Sequence, residues 1–311
     1  MPRALPIPAP VLRRLDAAAS SLLEPDGLVL PDLSSPRGEP GLFAPGSVAW
    51  RVFRNPVALL VGGVAAVLME LAHPAVRAGV WTHSRFRTDP VERIRRTGHA
   101  AMLTVYAPRS VALPAIERVV RRHGTVRGVT EDGRPYRASD PALLAWVHAT
   151  AVLGFTTAHD RYVAPLGEGE LSRAFAEAVP AARLHGVAHP PGDLAAWSAL
   201  LERTMPELSP SPVIGEFLSI MRGARLLPTP LGAIRPLALR GAASLVPAPL
   251  RSTLGLRGLR PGEGALLRRI GALAARVPLP SHPAAQAELR MLGAPGQARE
   301  VTNRGACSPS G

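Results

Sequence analysis

The chain has 311 residues, 47% of them hydrophobic and 19% charged, enough for one large core or two small ones and too apolar for wholesale disorder. Its formal charge is +13, but all 36 basic residues are arginines spread along the chain, and only 4% of residues are aromatic, so nucleic acid is not an expected partner. The single cysteine, Cys307, excludes a disulfide framework and a zinc–cysteine cluster.

The first ten residues are broken by Pro2, Pro6, Pro8 and Pro10 and hold no apolar stretch of signal-peptide length. A helix over about 11–23 is followed by a Pro/Gly-rich segment to about Gly46, so residues 1–50 are expected to form an N-terminal arm. Asn55 then caps a helix that opens on Pro56 and runs to about Leu71, where His73-Pro74 breaks it. The apolar run 56–69 is too short for the ~20 residues that span a bilayer and reads as a core helix. The expected location is cytoplasmic, with peripheral membrane contact left open. A short helix over 75–81 follows.

Asp89-Pro90-Val91-Glu92 has the form of a capping box with proline at the first helical position and predicts a helix to about Tyr106. Another is expected over 110–123, stopping at Gly124. Residues 126–137 change to a hairpin pattern with Asp132-Gly133 in the turn. Asp140-Pro141 opens the longest helix, about 141–163. Further helices are expected over 168–179, 193–204, 212–222, 236–244 and 263–276, with a loop over 185–192 and a disordered tail over 294–311. The organisation is therefore all-α: a single helical domain, 51–293, of about eight or more helices with one small β-hairpin.

Three places hold residues suited to chemistry. On the longest helix, Leu144, His148, Ala151, Val152, Phe155 and His159 form one stripe at helical spacing, with His148 central on an otherwise apolar face. Such a histidine is either a core residue bonded to a backbone carbonyl or the axial ligand of a b-type haem, whose iron is commonly held by a neutral imidazole in an apolar pocket. On the helix from Asp89, Arg93, Arg96, Thr97 and Ala100 share a face, either solvated or turned inward to meet an oxygen species or a propionate. The segment from His73 to Pro90 is dense in His, Trp and Phe, but His73 and His83 lie ten apart with a break between them. His185 and His189 have i, i+4 spacing in a stretch read as a loop, which argues against a metal site.

The segments LMELAHPAVRAGVWTHSRFRTDPVERIRRTGHA and RRHGTVRGVTEDGRPYRASDPALLAWVHATAVLGF, in that order, resemble the MpaB-like family, which shares its domain with the rubber oxygenase called latex-clearing protein. The resemblance covers about 52–222 well and 224–255 more loosely. It implies a globin-like helical fold, a non-covalent haem b and an oxygenase that uses dioxygen on carbon–carbon double bonds of isoprenoid chains. It places the axial histidine, and so the iron, on His148, and the distal Arg-x-x-x-Thr element on Arg93 and Thr97. One departure stands out: rubber oxygenases carry a lysine just before that threonine, able to reach the iron, where this chain has Arg96, a poor iron ligand because it stays protonated.

The resulting expectation is a haem b oxygenase acting on a small apolar substrate, isoprenoid- or fatty-chain-like, with an unidentified electron donor. His148 would hold the cofactor, and Arg93, Thr97 and Arg96 would stabilise negative charge developing on oxygen. Two alternatives stay open: a haem-binding or haem-sensing protein without turnover, and a cofactor-free helical protein that binds lipid or a membrane surface.

Overall fold

Residues 5–21, 23–225 and 231–292 are described by the structure, a computed structural model. The tail expected over 294–311, and Cys307 within it, lie outside the described residues.

Asparagine and aspartate caps start the main helices where the sequence places them. Asn55 Oδ1 accepts from the backbone N–H of Val57 and Ala58 and opens α3 (Pro56–Glu70). Asp89 accepts from Glu92 N–H and opens α5 (Pro90–Tyr106). Asp140 accepts from Ala142 N–H and opens α7 (Pro141–Tyr162). Each satisfies an amide that the first helical turn leaves without a partner. Between them lie α4 (Pro74–His83) and α6 (Arg109–Thr125), then the hairpin β1 (Arg127–Val129) and β2 (Pro135–Arg137), antiparallel with Gly128 opposite Tyr136. Its connection spans 130–134, with Gly133 at φ 83°, a left-handed conformation that glycine adopts without steric cost.

Fourteen α-helices and this one two-stranded sheet make up the regular structure of the described residues, apart from two short 3-10 turns, so the all-α reading holds. Before α3 come α1 (Ala9–Ser21) and the short α2 (Val48–Phe53); after α7 come α8 (Glu170–Leu184), α9 (Leu194–Thr204), α10 (Pro212–Gly223), α11 (Arg235–Leu245), α12 (Ala248–Thr253), α13 (Glu263–Ala274) and α14 (Pro283–Met291). The sequence reading misses α2, α12 and α14. It also ends α8 at 179, one residue before Pro180, which removes a helical hydrogen bond and crowds the preceding turn. The helix nonetheless continues to Leu184, since Ala181 and Ala182 beyond that point are both buried and packing outweighs local propensity.

The centre of the fold is the crossing of α3 on α7. A Cβ on Gly62 would stand 2.6 Å from Phe155 Cα, and one on Gly154 would stand 2.6 Å from Gly62 O, so the two backbones touch. Around this pair one apolar core brings in α9, α10, α11 and α13, while a second joins α2, α5, α6, α8 and α14. Phe53 and Val152 pack against both cores and mark the seam between them. The N-terminal arm closes over the second core: the fully buried Arg290 of α14 donates to Glu39 O at 2.9 Å, Leu33 O at 2.5 Å and Tyr106 O at 2.7 Å.

By length and mean hydropathy, 1.3, α7 is the one single helix among the described residues that meets the measure of a membrane span. The pair α3 and α4 meets it only together, across a 113° bend. Both α3 and α7 lie at the centre of the molecule, where a core helix passes the same measure.

Candidate functional site

His148 sits on α7 six residues before the Gly154 crossing, and Val152 of the seam lies one turn further along the same face. Its neighbour Trp146 turns to the other side, is 1% exposed, and donates to Met69 O at 3.3 Å, which fixes the rotation of α7 against the end of α3. The Nε2 atom of His148 is shut off from solvent and has no hydrogen-bond partner. Burial, with a smaller contribution from His185, drives its pKa down to about 4, so the imidazole is neutral at pH 7. A buried nitrogen without a partner is rare enough to require a reason.

The groups that interact electrostatically with His148 and with one another come from five helices. His185 follows the last turn of α8 and is within reach of both His148 and His123, at the end of α6. Arg93 of α5 interacts with His123, with Arg122 and with Glu70, the last residue of α3. One half-buried region thus collects Glu70, Arg93, His123, His148 and His185, with the exposed Arg122 at its edge. Burial pushes the Glu70 carboxyl up to about 7, against the opposing pull of Arg93. Burial likewise lowers Arg93, His123 and His185. His185 Nδ1 lies 2.8 Å from Ala181 O, a bond that fixes the ring, while His123 Nδ1 is buried without a partner. Among the described residues, no three His, Cys, Asp or Glu side chains converge as a metal-ion site.

The other predicted residues divide. Arg93 Nη1 donates to Thr97 Oγ1, and Thr97 in turn donates to Arg93 O at 2.9 Å, so these two are joined. Arg96 is half exposed and its Nε donates to Glu92 Oε1 at 2.6 Å. Glu92 does not complete the capping box, because its second oxygen accepts from Asp26 N–H at 3.0 Å and ties the arm to α5. Arg96 therefore belongs to this clasp, one side of α5 away from the Glu70–Arg93 interaction. His73 caps α4, accepting from Ala75 N–H at 3.2 Å, with Nε2 3.3 Å from Glu207. His83 is exposed at the far end of α4, and His159 is buried near the far end of α7 with Nδ1 unpartnered. His189 is exposed in the loop after His185.

Sequence reasoning misses Glu70 and His123, and weighs His185 only as half of a His185/His189 metal pair. Glu70 is legible only as the charge that ends an apolar run. His185 is obscured by ending α8 at Pro180. Its real signal is His185-Gly186, with Gly186 at φ 90°, the left-handed glycine that commonly follows a helix end.

These features define an all-helical protein in which a half-buried histidine carries a buried, unpartnered ring nitrogen beside charged groups, with no metal-ion cluster among the described residues. The model of one protein family, described as "ER-bound oxygenase mpaB/B'/Rubber oxygenase, catalytic domain", matches residues 50–276. The chain belongs to this oxygenase family, as the motifs of α4 to α7 imply. No curated protein and no solved structure matches the chain.

Proposed function

We propose that the protein is a haem b-dependent oxygenase that uses dioxygen on a small apolar substrate of isoprenoid- or fatty-chain type, with His148 as the residue that would hold the haem iron. The observation that carries this reading is the buried, neutral and unpartnered Nε2 of His148. A neutral imidazole offers the lone pair that iron needs, and the seam marked by Phe53 and Val152 supplies apolar surroundings. By donor chemistry, then, the residues fit the group.

When bound, haem b would supply the redox chemistry with dioxygen, which no side chain here can perform. The protein's own residues would orient and tune. Burial, with a smaller contribution from His185, disfavours a proton on His148, which keeps its lone pair free at neutral pH. Arg93, half-buried and bonded to the exposed Thr97, places a cation beside Glu70, where it would stabilise negative charge that develops during reaction. Glu70, titrating at about 7, would hold or release a proton beside Arg93 near neutral pH. Arg96, engaged with Glu92, would contribute by anchoring α5 to the arm.

The test is an absorption spectrum of the purified protein titrated with haemin, before and after dithionite. A Soret band in the wild type, absent in His148→Ala, is expected. A folded protein that refuses haemin overturns the reading. Oxygen uptake with candidate alkenes and an electron donor then separates an oxygenase from a haem-binding protein without turnover, because the latter binds haem and stays inert.

A further inference from the structure

We propose that α13, together with the C-terminal end of α7, is a docking surface for an anionic lipid bilayer. The exposed positions of α13 are Ala265, Leu266, Arg268, Arg269, Ala272 and Leu273. None is acidic. Leu266 and Leu273, two turns apart on one face, are 50% and 54% exposed. The helix is held from beneath by Leu267 and Gly271, where a Cβ on Gly271 would stand 2.0 Å from Tyr162 O. The exposed leucines are therefore not poised to turn inward.

Beside them lies an open recess of about 640 Å³ whose lining includes Arg161, Arg260, Arg268 and Arg269. Among the described residues none of these four guanidinium groups forms a salt bridge, although Arg260 lies near enough to Glu263 to act on its charge. Arg161 and Arg268 meet only backbone carbonyls, of Ser244 and Arg161 respectively. The one acidic side chain of α13, Glu263, is held by Arg240 at 2.5 and 2.9 Å and accepts from Arg260 N–H at 2.8 Å.

A partner for this face must supply negative charge and apolar contact in one layer. A second copy of the chain, at +13, brings the wrong charge. An anionic bilayer brings both: phosphate oxygens match the guanidinium forks, and acyl chains begin a few ångströms beneath them, within reach of exposed leucines on an interfacial helix. Arg161 lies on the helix that carries His148, roughly 20 Å away along its axis at 1.5 Å per residue. The inference does not depend on the reading of His148.

The experiment is co-sedimentation of the full chain with vesicles of equal phosphatidylglycerol and phosphatidylcholine, and with phosphatidylcholine alone. Binding to the anionic vesicles only, weakened by salt, is expected. With each basic residue near such a surface worth roughly fivefold in partitioning, Arg268→Glu/Arg269→Glu should lose more than roughly tenfold. The charge-matched Arg118→Glu/Arg127→Glu, elsewhere on the surface, should lose far less. Leu266→Ser/Leu273→Ser keeps the charge and should also weaken binding, and it carries the test if the arginine variant fails to fold. Equal losses in both charge variants would reduce the effect to net charge and overturn the proposal. So would unchanged binding in the leucine variant, displacement by millimolar inorganic phosphate to the same extent as by salt-free anionic lipid (a free-phosphate site), or binding to polyglutamate but not to vesicles (an acidic-protein site).

Discussion

Two buried polar regions of this molecule are built on opposite plans. At Arg290 the guanidinium is fully buried and its three nitrogens each meet a backbone carbonyl from the arm or α5. At His148 a buried ring nitrogen meets nothing, and the charged and titratable groups around it, Glu70, Arg93, His123 and His185, influence one another without a closed hydrogen-bond network. A depressed pKa does not distinguish the two regions: His282, near the arm, also falls to about 4, yet its Nδ1 accepts from Ala284 N–H and caps α14. Satisfaction distinguishes them. A network with all partners inside the protein does structural work, and one with a partner missing is left open for something else.

Stability measurements should separate the two plans. Arg290→Met strands the carbonyls of Leu33, Glu39 and Tyr106 at a cost of about 1–3 kcal/mol each where they stay dry, so a loss of more than ~3 kcal/mol is expected in urea unfolding. His148→Leu, in the haem-free protein, should stay within ~1 kcal/mol of the wild type, because it removes a polar atom that had no partner. The same variant should abolish haemin binding. If the histidine variant proves as costly as the arginine one, the distinction between the regions fails. Between these extremes lies Gly154→Leu. It forces apart the α3–α7 contact at Gly62 O, with overpacking of ~1–3 kcal/mol set against the ~1 kcal/mol a helix regains when glycine is replaced. A net loss of about 1 kcal/mol, at most ~2, is expected, with weaker haemin binding because α7 shifts.

The same contrast explains what the sequence made legible. Caps are local, so Asn55, Asp89 and Asp140 locate three helix starts from a few residues each. The stripe on α7 is likewise periodic, and it singles out His148. What escaped depends on contacts remote in the chain. Arg290 is unremarkable as text and becomes a staple only where it meets residues 33, 39 and 106. Arg96 shares a helical face with Arg93 by spacing, but Glu92, itself held by Asp26, draws it into the arm's clasp. Glu70, His123 and His185 each end a different helix, and only the packing of α3, α6 and α8 brings those ends toward one interior.

Acid titration sharpens the contrast within the open region itself. His148 falls from an ordinary 6.5 to about 4, so between those values the unfolded chain holds a proton that the folded one lacks. Stability from this group is complete above 6.5 and drains as the pH falls, by up to about 1.4 kcal/mol per unit. Glu70 rises from 4.5 to about 7, so between those values the folded chain holds the extra proton, and stability grows as the pH falls. From 4.5 to 6.5 the two slopes oppose each other. In the haem-free protein Glu70→Gln should therefore steepen the loss of stability on acidification, and His148→Leu should flatten it, each by about 1 kcal/mol per pH unit. The double variant should return toward the wild-type slope. Urea midpoints at pH 5.0 and 6.0 are enough to read this. A His148→Leu slope equal to that of the wild type would mean that the ring is hydrated or already paired, and the open plan at α7 would have to be abandoned.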